Sequence, residues 1–338
     1  MIKFFITLLG LSILVIVHEL GHYLFAKMFN VGVEVFSVGM GPILYSFDDK
    51  KGTKWQFCLI PVGGYVQLKD KLNESNQHVN GGSFEECGSI ATILIAFAGP
   101  LFNFLFSFLL FFAICLSIGI PNETSIIKEV TYNSVAHQAQ LLKGDVVTKI
   151  NTIDSKTLEL SVLRDKKLIK KTLIKNSKKT PYGLSFQKNY SKKGVWESFM
   201  QSMKYVLKVI YKFISEIYKS FIFLSFPSNA SGPLGIFQAS MMQQTDLISF
   251  LLFIINVSIS LGATNLLPIP ILDGGQIVGA ILYLMFHNFL SKKIMFYFQK
   301  IFLYFSIFFL SMVFSISLIN DLEIYSYFDK QILQRINK

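Results

Sequence analysis

Four long apolar runs limit what this chain can fold into. They are Ile2 to about Phe25, Ile90 to about Ile118, Leu247 to about Leu267, and Ile294 to Ile319. Each is near the ~20 residues that an α-helix needs to cross a bilayer. In hydrocarbon a spanning segment must satisfy its own backbone, and a helix does. The expected fold is a polytopic α-helical membrane protein with about four transmembrane helices, at 1–26, 90–119, 245–286 and 294–319. The composition points the same way. Of 338 residues 52% are hydrophobic and 16% charged, against about 25% charged in soluble domains.

Three of the runs carry polar or helix-breaking residues. The first is polar near its end, the second holds Pro100 and Asn103, and the third runs into Pro268 and Pro270. Such interruptions persist in a membrane where the backbone is buried in protein or lines a cavity. The N-terminal run looks like a signal peptide but lacks a small-residue cleavage site. It reads as a retained first span.

The segments between the runs have other characters. Residues 33–70 hold β-branched and aromatic residues punctuated by glycine, with a turn at Asp48–Gly52. They read as a membrane-associated β-hairpin region. Residues 121–190 read as one small α/β domain, with strands at "SIIKEV", "DVVTKI" and "KLIKKTLIK" and a short helix in "SVAHQAQLLKGD". Residues 195–226 place Phe199, Met203, Val206, Phe213 and Ile217 at helical spacing with lysines between. That is an amphipathic helix, either lying on the membrane surface or packed on the protein. A polar tail closes the chain at 320–338.

The net charge of +11 fits lysines beside anionic lipid. Nucleic-acid binding is excluded, because no basic patch with interleaved aromatics falls on a recognisable module. A naive positive-inside count puts the central domain in the cytoplasm, but that rule fails for long translocated domains. Cys58, Cys87 and Cys115 form no CxxC pair. They imply neither a disulfide framework nor a zinc knuckle, and a Cys58–Cys87 pairing stays open.

The chemistry begins in "VIVHELGHYLFAK", Val15 to Lys27. His18 and His22 are four apart, so on a helix they share one face about 6 Å apart. Two imidazoles at that spacing can bind one Zn²⁺. Glu19 lies beside the same point and can accept a proton from zinc-activated water. This is the HExxH pattern of zinc hydrolases. The bland reading is a pair of buried histidines bonded to other helices. A third ligand has to come from elsewhere. His78, His137 and His287 all lie in loop-like sequence. Asp273 in "TNLLPIPILDGGQ" follows a double-proline break and can face a cavity. It can equally cap the helix that starts at "GQIVGAI".

Together these motifs resemble the bacterial site-two protease family, the intramembrane zinc metalloproteases of the regulator-of-sigma-E type. The resemblance covers most of the chain. It rests on His18-Glu19-Leu20-Gly21-His22, "FSVGMGP", "PVGGYVQLKD", "AGPLFNF", "GPLGI" and "NLLPIPILDGG". It implies that Asp273 completes the metal site, that Glu19 activates water, and that Asn265 holds the substrate or transition state. It implies that 121–190 is a single PDZ-like domain, with Gln140 standing where the family usually has glycine. Ser260 stands where some members carry asparagine, with Asn256 or Asn265 as substitutes. The implied substrates are single-pass membrane proteins, such as anti-sigma factors or signal-peptide remnants. The hairpin would pair with the unwound substrate as an added strand. The implied location is the bacterial inner membrane, with the active site near the cytoplasmic side. Two other functions compete: a catalytically silent membrane chaperone or scaffold, and a metal transporter.

Overall fold

The computed structural model describes residues 2–69, 79–132, 134–152, 157–174, 182–222 and 247–286, with Tyr304, Ile307 and Ser311. The expected fourth span at 294–319, the tail at 320–338, the "GPLGI" segment, His78 and His287 lie outside the described residues.

Among the described residues three helices are long and apolar enough to cross a membrane. Helix α1 is Ile2–Met28 and α2 is Ser89–Ser117. Pro100 sits inside α2 without ending it. Its missing N–H costs one backbone bond, and the helix continues on both sides.

The chain between α1 and α2 forms two long strands, β1 (Val33–Asp48) and β2 (Lys54–Leu68). Both bend midway, so they make a four-ribbon sheet rather than a plain hairpin. Val35 pairs with both Gln67 and Lys54, and Ser37 with both Tyr65 and Gln56. Ile43 to Asp48 pairs only with Lys54 to Cys58, and Gly64 to Leu68 only with Val33 to Val38. Among the described residues the free edges are therefore 43–48 and 64–68. The bends need glycine. Gly39 has φ +85°, and a Cβ there would strike the Ile60 carbonyl oxygen.

Two contacts lay this sheet along α1. The Ser12 hydroxyl donates to the Pro61 carbonyl. At the other end the Tyr23 hydroxyl donates to Asp49 Oδ2 at 3.4 Å. Eleven helical residues separate Ser12 from Tyr23, about 16 Å along the axis. Residues 33–39 are mostly buried while 40–48 are exposed, including Met40, Ile43, Leu44, Tyr45 and Phe47. An exposed run of such residues suits lipid.

The chain divides into two compact units. One holds residues 1–111, 202–225 and 230–338, and the other holds 112–201 and 226–229. The second contains β3 (Ile120–Val130), α3 (Val135–Gln138), β4 (Val146–Thr152), β5 (Thr157–Arg164), β6 (Lys167–Ile174) and β7 (Leu184–Ser191). Its five strands order as β6-β5-β4-β3-β7. Its core is Ile127, Val135, Ala136, Leu141, Val147, Leu160, Val162 and Leu173. Strands β5 and β7 were not singled out from sequence. The β7 run "LSFQKNYS" is too polar to announce a strand, and it is held by pairing to β3. Gln140 adopts φ +58°, which explains why glycine suits that position.

Helix α4 (Val195–Ile222) packs one face on the protein. Val206 is buried, and Tyr205 stacks on Phe111 with centroids 4.2 Å apart. Trp196, Met200, Met203, Leu207, Tyr211, Ile214 and Tyr218 remain exposed along the other side. The expected third span is α5 (Leu247–Asn265), and after a tight turn at the prolines the LDG segment opens α6 (Asp273–Phe286). The described part of α6 is 14 residues long. Cys58, Cys87 and Cys115 are free thiols.

Candidate metal centre

The HELGH sequence lies well inside α1, where no proline or glycine pair breaks the helical spacing of His18 and His22. Their Nε2 atoms lie 3.2 Å apart. Helix α2 packs against this face at its own glycine. A Cβ on Gly99 would come within 2.7 Å of His22 Cε1 and 2.8 Å of His18 Cε1. A Cβ on Gly21 would likewise strike the Ala98 backbone. The two glycines let the imidazoles lie directly on α2. The His22 ring is then held by the Ile95 carbonyl, 2.8 Å from Nδ1.

Asp273 reaches the same point through the broken helix. The prolines end α5, and the Leu272 N–H donates to the Ile269 carbonyl in a tight turn. Side chains on Gly274 and Gly275 would overlap the carbonyls of Leu266, Leu267 and Ile269. Asp273 thus becomes the first residue of α6, with its carboxylate turned toward α1. Oδ2 lies 3.1 Å from His18 Nε2 and Oδ1 3.4 Å from His22 Nε2. The capping alternative placed Asp273 just ahead of the helix. Instead it sits inside the first turn and faces the histidines.

Donor atoms of His18, His22 and Asp273 all lie within 4.8 Å of one another. Two imidazole nitrogens and a carboxylate converge with no cationic side chain among them. The donor set fits zinc, and three protein donors suit a site that keeps one position open for water or substrate. Glu19, Asn265, Gln276 and Tyr65 line the same cavity of about 340 Å³. Asn265 Nδ2 is 3.4 Å from His18 Nε2. The backbone N–H of Val66, on the free edge of the sheet, faces the Glu19 carboxylate.

Other sequence candidates fall elsewhere. The His137 ring packs at a tilt against Tyr132 in the five-stranded unit. Asn256 donates to the Leu252 carbonyl and accepts from the Tyr205 hydroxyl, so it is engaged in packing α4 on α5. Sequence reasoning named Asn103 only as a polar interruption. Its side chain lies 3.1 Å from His18 Nδ1. The signal was present, since an amide in an apolar span is costly without a partner. The partner itself was not legible.

A donor triad in apolar helices, with His18 buried, His22 and Asp273 half-buried and a carboxylate beside it, is the arrangement that a membrane-embedded metallopeptidase would need. Comparison with known proteins gives the family. The model of peptidase family M50 matches residues 6–313. The chain is 32% identical over 317 residues to a Rickettsia conorii protein provisionally named a zinc metalloprotease, covering 82% of this chain and 86% of that one. Similarly named proteins of Fusobacterium nucleatum and Campylobacter jejuni are 31% identical over 312 residues and 30% over 305. They cover 83% and 82% of this chain, and 88% and 82% of their own lengths. This membrane protein belongs to peptidase family M50, a zinc-dependent family.

Proposed function

We propose that this protein is an intramembrane zinc metalloendopeptidase that cuts transmembrane segments of single-pass membrane proteins. The observation that carries the reading is the meeting of His18, His22 and Asp273 beside Glu19, among helices apolar enough to lie in lipid. His18, His22 and Asp273 would hold the metal, and a bound zinc would supply Lewis-acid activation of water and of the scissile carbonyl. Glu19 takes a proton from the attacking water and returns it to the leaving amine. The Asn265 amide donates toward the carbonyl oxygen, which it can reach from the same cavity.

The substrate must be unwound before its backbone can react. The free edge at 64–68 supports a specific place for it. Tyr65, Val66 and Leu68 line the cavity, and among the described residues this ribbon pairs on one side only. An extended substrate adds there as a further strand, and its main-chain bonds replace those lost on unwinding. Residues 121–190 serve as a single PDZ-like module outside the bilayer. By the kinship with bacterial relatives, the setting is the inner membrane with the site near its cytoplasmic side. Substrates of the anti-sigma-factor or signal-peptide-remnant kind suit it.

The test is cleavage of a single-span substrate by purified protein. Glu19→Gln is expected to lower turnover by at least about 10²–10⁴-fold, the usual contribution of a general base, with zinc retained. Full cleavage by this variant overturns the mechanism. No cleavage by the zinc-loaded wild type, on a panel of single-span substrates, favours a silent scaffold.

A further inference from the structure

Asn103 is fully buried in α2, at 0% exposure. One residue there joins three helices. Its side chain meets His18 of α1. Its backbone carbonyl accepts from the hydroxyls of Ser107, at 2.8 Å, and Ser258 of α5, at 3.1 Å. Gly262 brings α5 so close that a Cβ there would lie 3.2 Å from Asn103 Cβ. The α2 backbone at Asn103 is therefore fixed from α5, and the side chain has no access to bulk water.

An amide has one donating and one accepting end, and the surrounding network decides which faces a neighbour. With Nδ2 toward His18 Nδ1, the buried Oδ1 has no donor among the described residues. A ring nitrogen that ligates a metal carries no proton. His18 turns Nε2 toward Asp273 and His22, so in the neutral ring the proton sits on Nδ1. Nδ1–H needs an acceptor, and Oδ1 is the only atom of the amide that accepts. A half-turn of the amide places it there. His22 has the same solution, with the Ile95 carbonyl as acceptor.

We propose that Asn103 is a positioning residue whose amide oxygen accepts from His18 Nδ1–H and so locks that ring with Nε2 presented to zinc. This rests on His18 being a zinc ligand. Acceptors behind ligating imidazoles fix the tautomer and raise ligand basicity.

The test uses full-length protein in detergent. Zinc affinity is read by chelator competition, and the visible spectrum of the Co²⁺-loaded form reads the ligand field. Asn103→Leu removes the acceptor at similar size and is expected to weaken zinc about 10–100-fold and to shift the cobalt bands. Asn103→Asp keeps an accepting oxygen and is expected to stay close to wild type. Wild-type zinc affinity in Asn103→Leu overturns the proposal, as does Asn103→Asp binding no better than Asn103→Leu, which would mark a space-filling role. Asp273→Ala separates the two readings. If it keeps tight zinc, the ligand assignment itself fails; if it loses zinc while Asn103→Leu does not, only the Asn103 role fails. Should Asn103→Leu not fold, the zinc-loaded wild type decides. A His18 Nδ1 proton protected from solvent exchange in ¹H–¹⁵N spectra supports the proposal, and rapid exchange overturns it.

Discussion

Buried polar groups serve different ends in the two units of this chain. In the unit that holds α1, α5 and α6, His18, Asn103, Ser107 and Ser258 are buried and address one another across three helices. In the five-stranded unit the core is aliphatic. Its buried charge, Asp145, is answered locally. Arg164 donates to both carboxylate oxygens at 2.7 Å, and the Leu142 N–H donates at 2.9 Å. The contrast follows from solvent. Lipid offers no alternative partner, so polar groups are retained there mainly where function needs them. In the five-stranded unit the charge is answered by Arg164 of β5 and the Leu142 N–H together, which satisfies both carboxylate oxygens.

Gly99→Ala presses this comparison hardest. The added methyl overlaps both imidazoles, so zinc affinity should fall on the order of 10–100-fold, as for lesions that misplace a ligand. Chelator competition measures it. Unchanged affinity would mean that the rings can move off α2 freely. Leu160→Ala is the counterpart in the other unit. Leu160 is 1% exposed, and such truncations cost about 2–5 kcal/mol. Hydrogen exchange in β4 and β5 should accelerate while zinc content stays at the wild-type level. Zinc loss there would show that the two units are not energetically separate.

The smallest effect is the pH dependence of the Asp145–Arg164 pair. The Arg164 guanidinium holds the Asp145 carboxyl below its ordinary range. A depressed carboxyl stabilises the fold above its unfolded pKa of about 3.9. That contribution is lost as pH falls through the lower folded value. Asp145→Asn should therefore loosen β4 and β5 at pH 7, read by hydrogen exchange, with the difference from wild type shrinking in acid. An equal difference at every pH would assign the loss to packing instead.

Legibility differed between the same two regions. In the membrane unit His18, Glu19 and His22 were readable because three residues at helical spacing announce themselves in apolar sequence. The amphipathic run at 195–226 was readable as a helix, but its packing was not. Which face packs depends on Tyr205 meeting Phe111, and no local pattern encodes that. The hairpin was readable as strands, yet not as four ribbons with two free edges, because bends at Gly39 and Gly63 fold each strand on itself. In the five-stranded unit β7 was missed because a polar strand is stabilised by its neighbour.

The sequence by itself determined the apolar spans, the helical face shared by His18 and His22, and the glycine and proline breaks that allow a turn at Asp273. These are local consequences of side-chain type and spacing. Only tertiary structure decided that Asp273 meets that face, about 250 residues on in the chain, and that Asn103 stands behind His18. Distances between helices are set by close packing at Gly21, Gly99 and Gly262. Such contacts arise from several segments at once, so no single segment carries them.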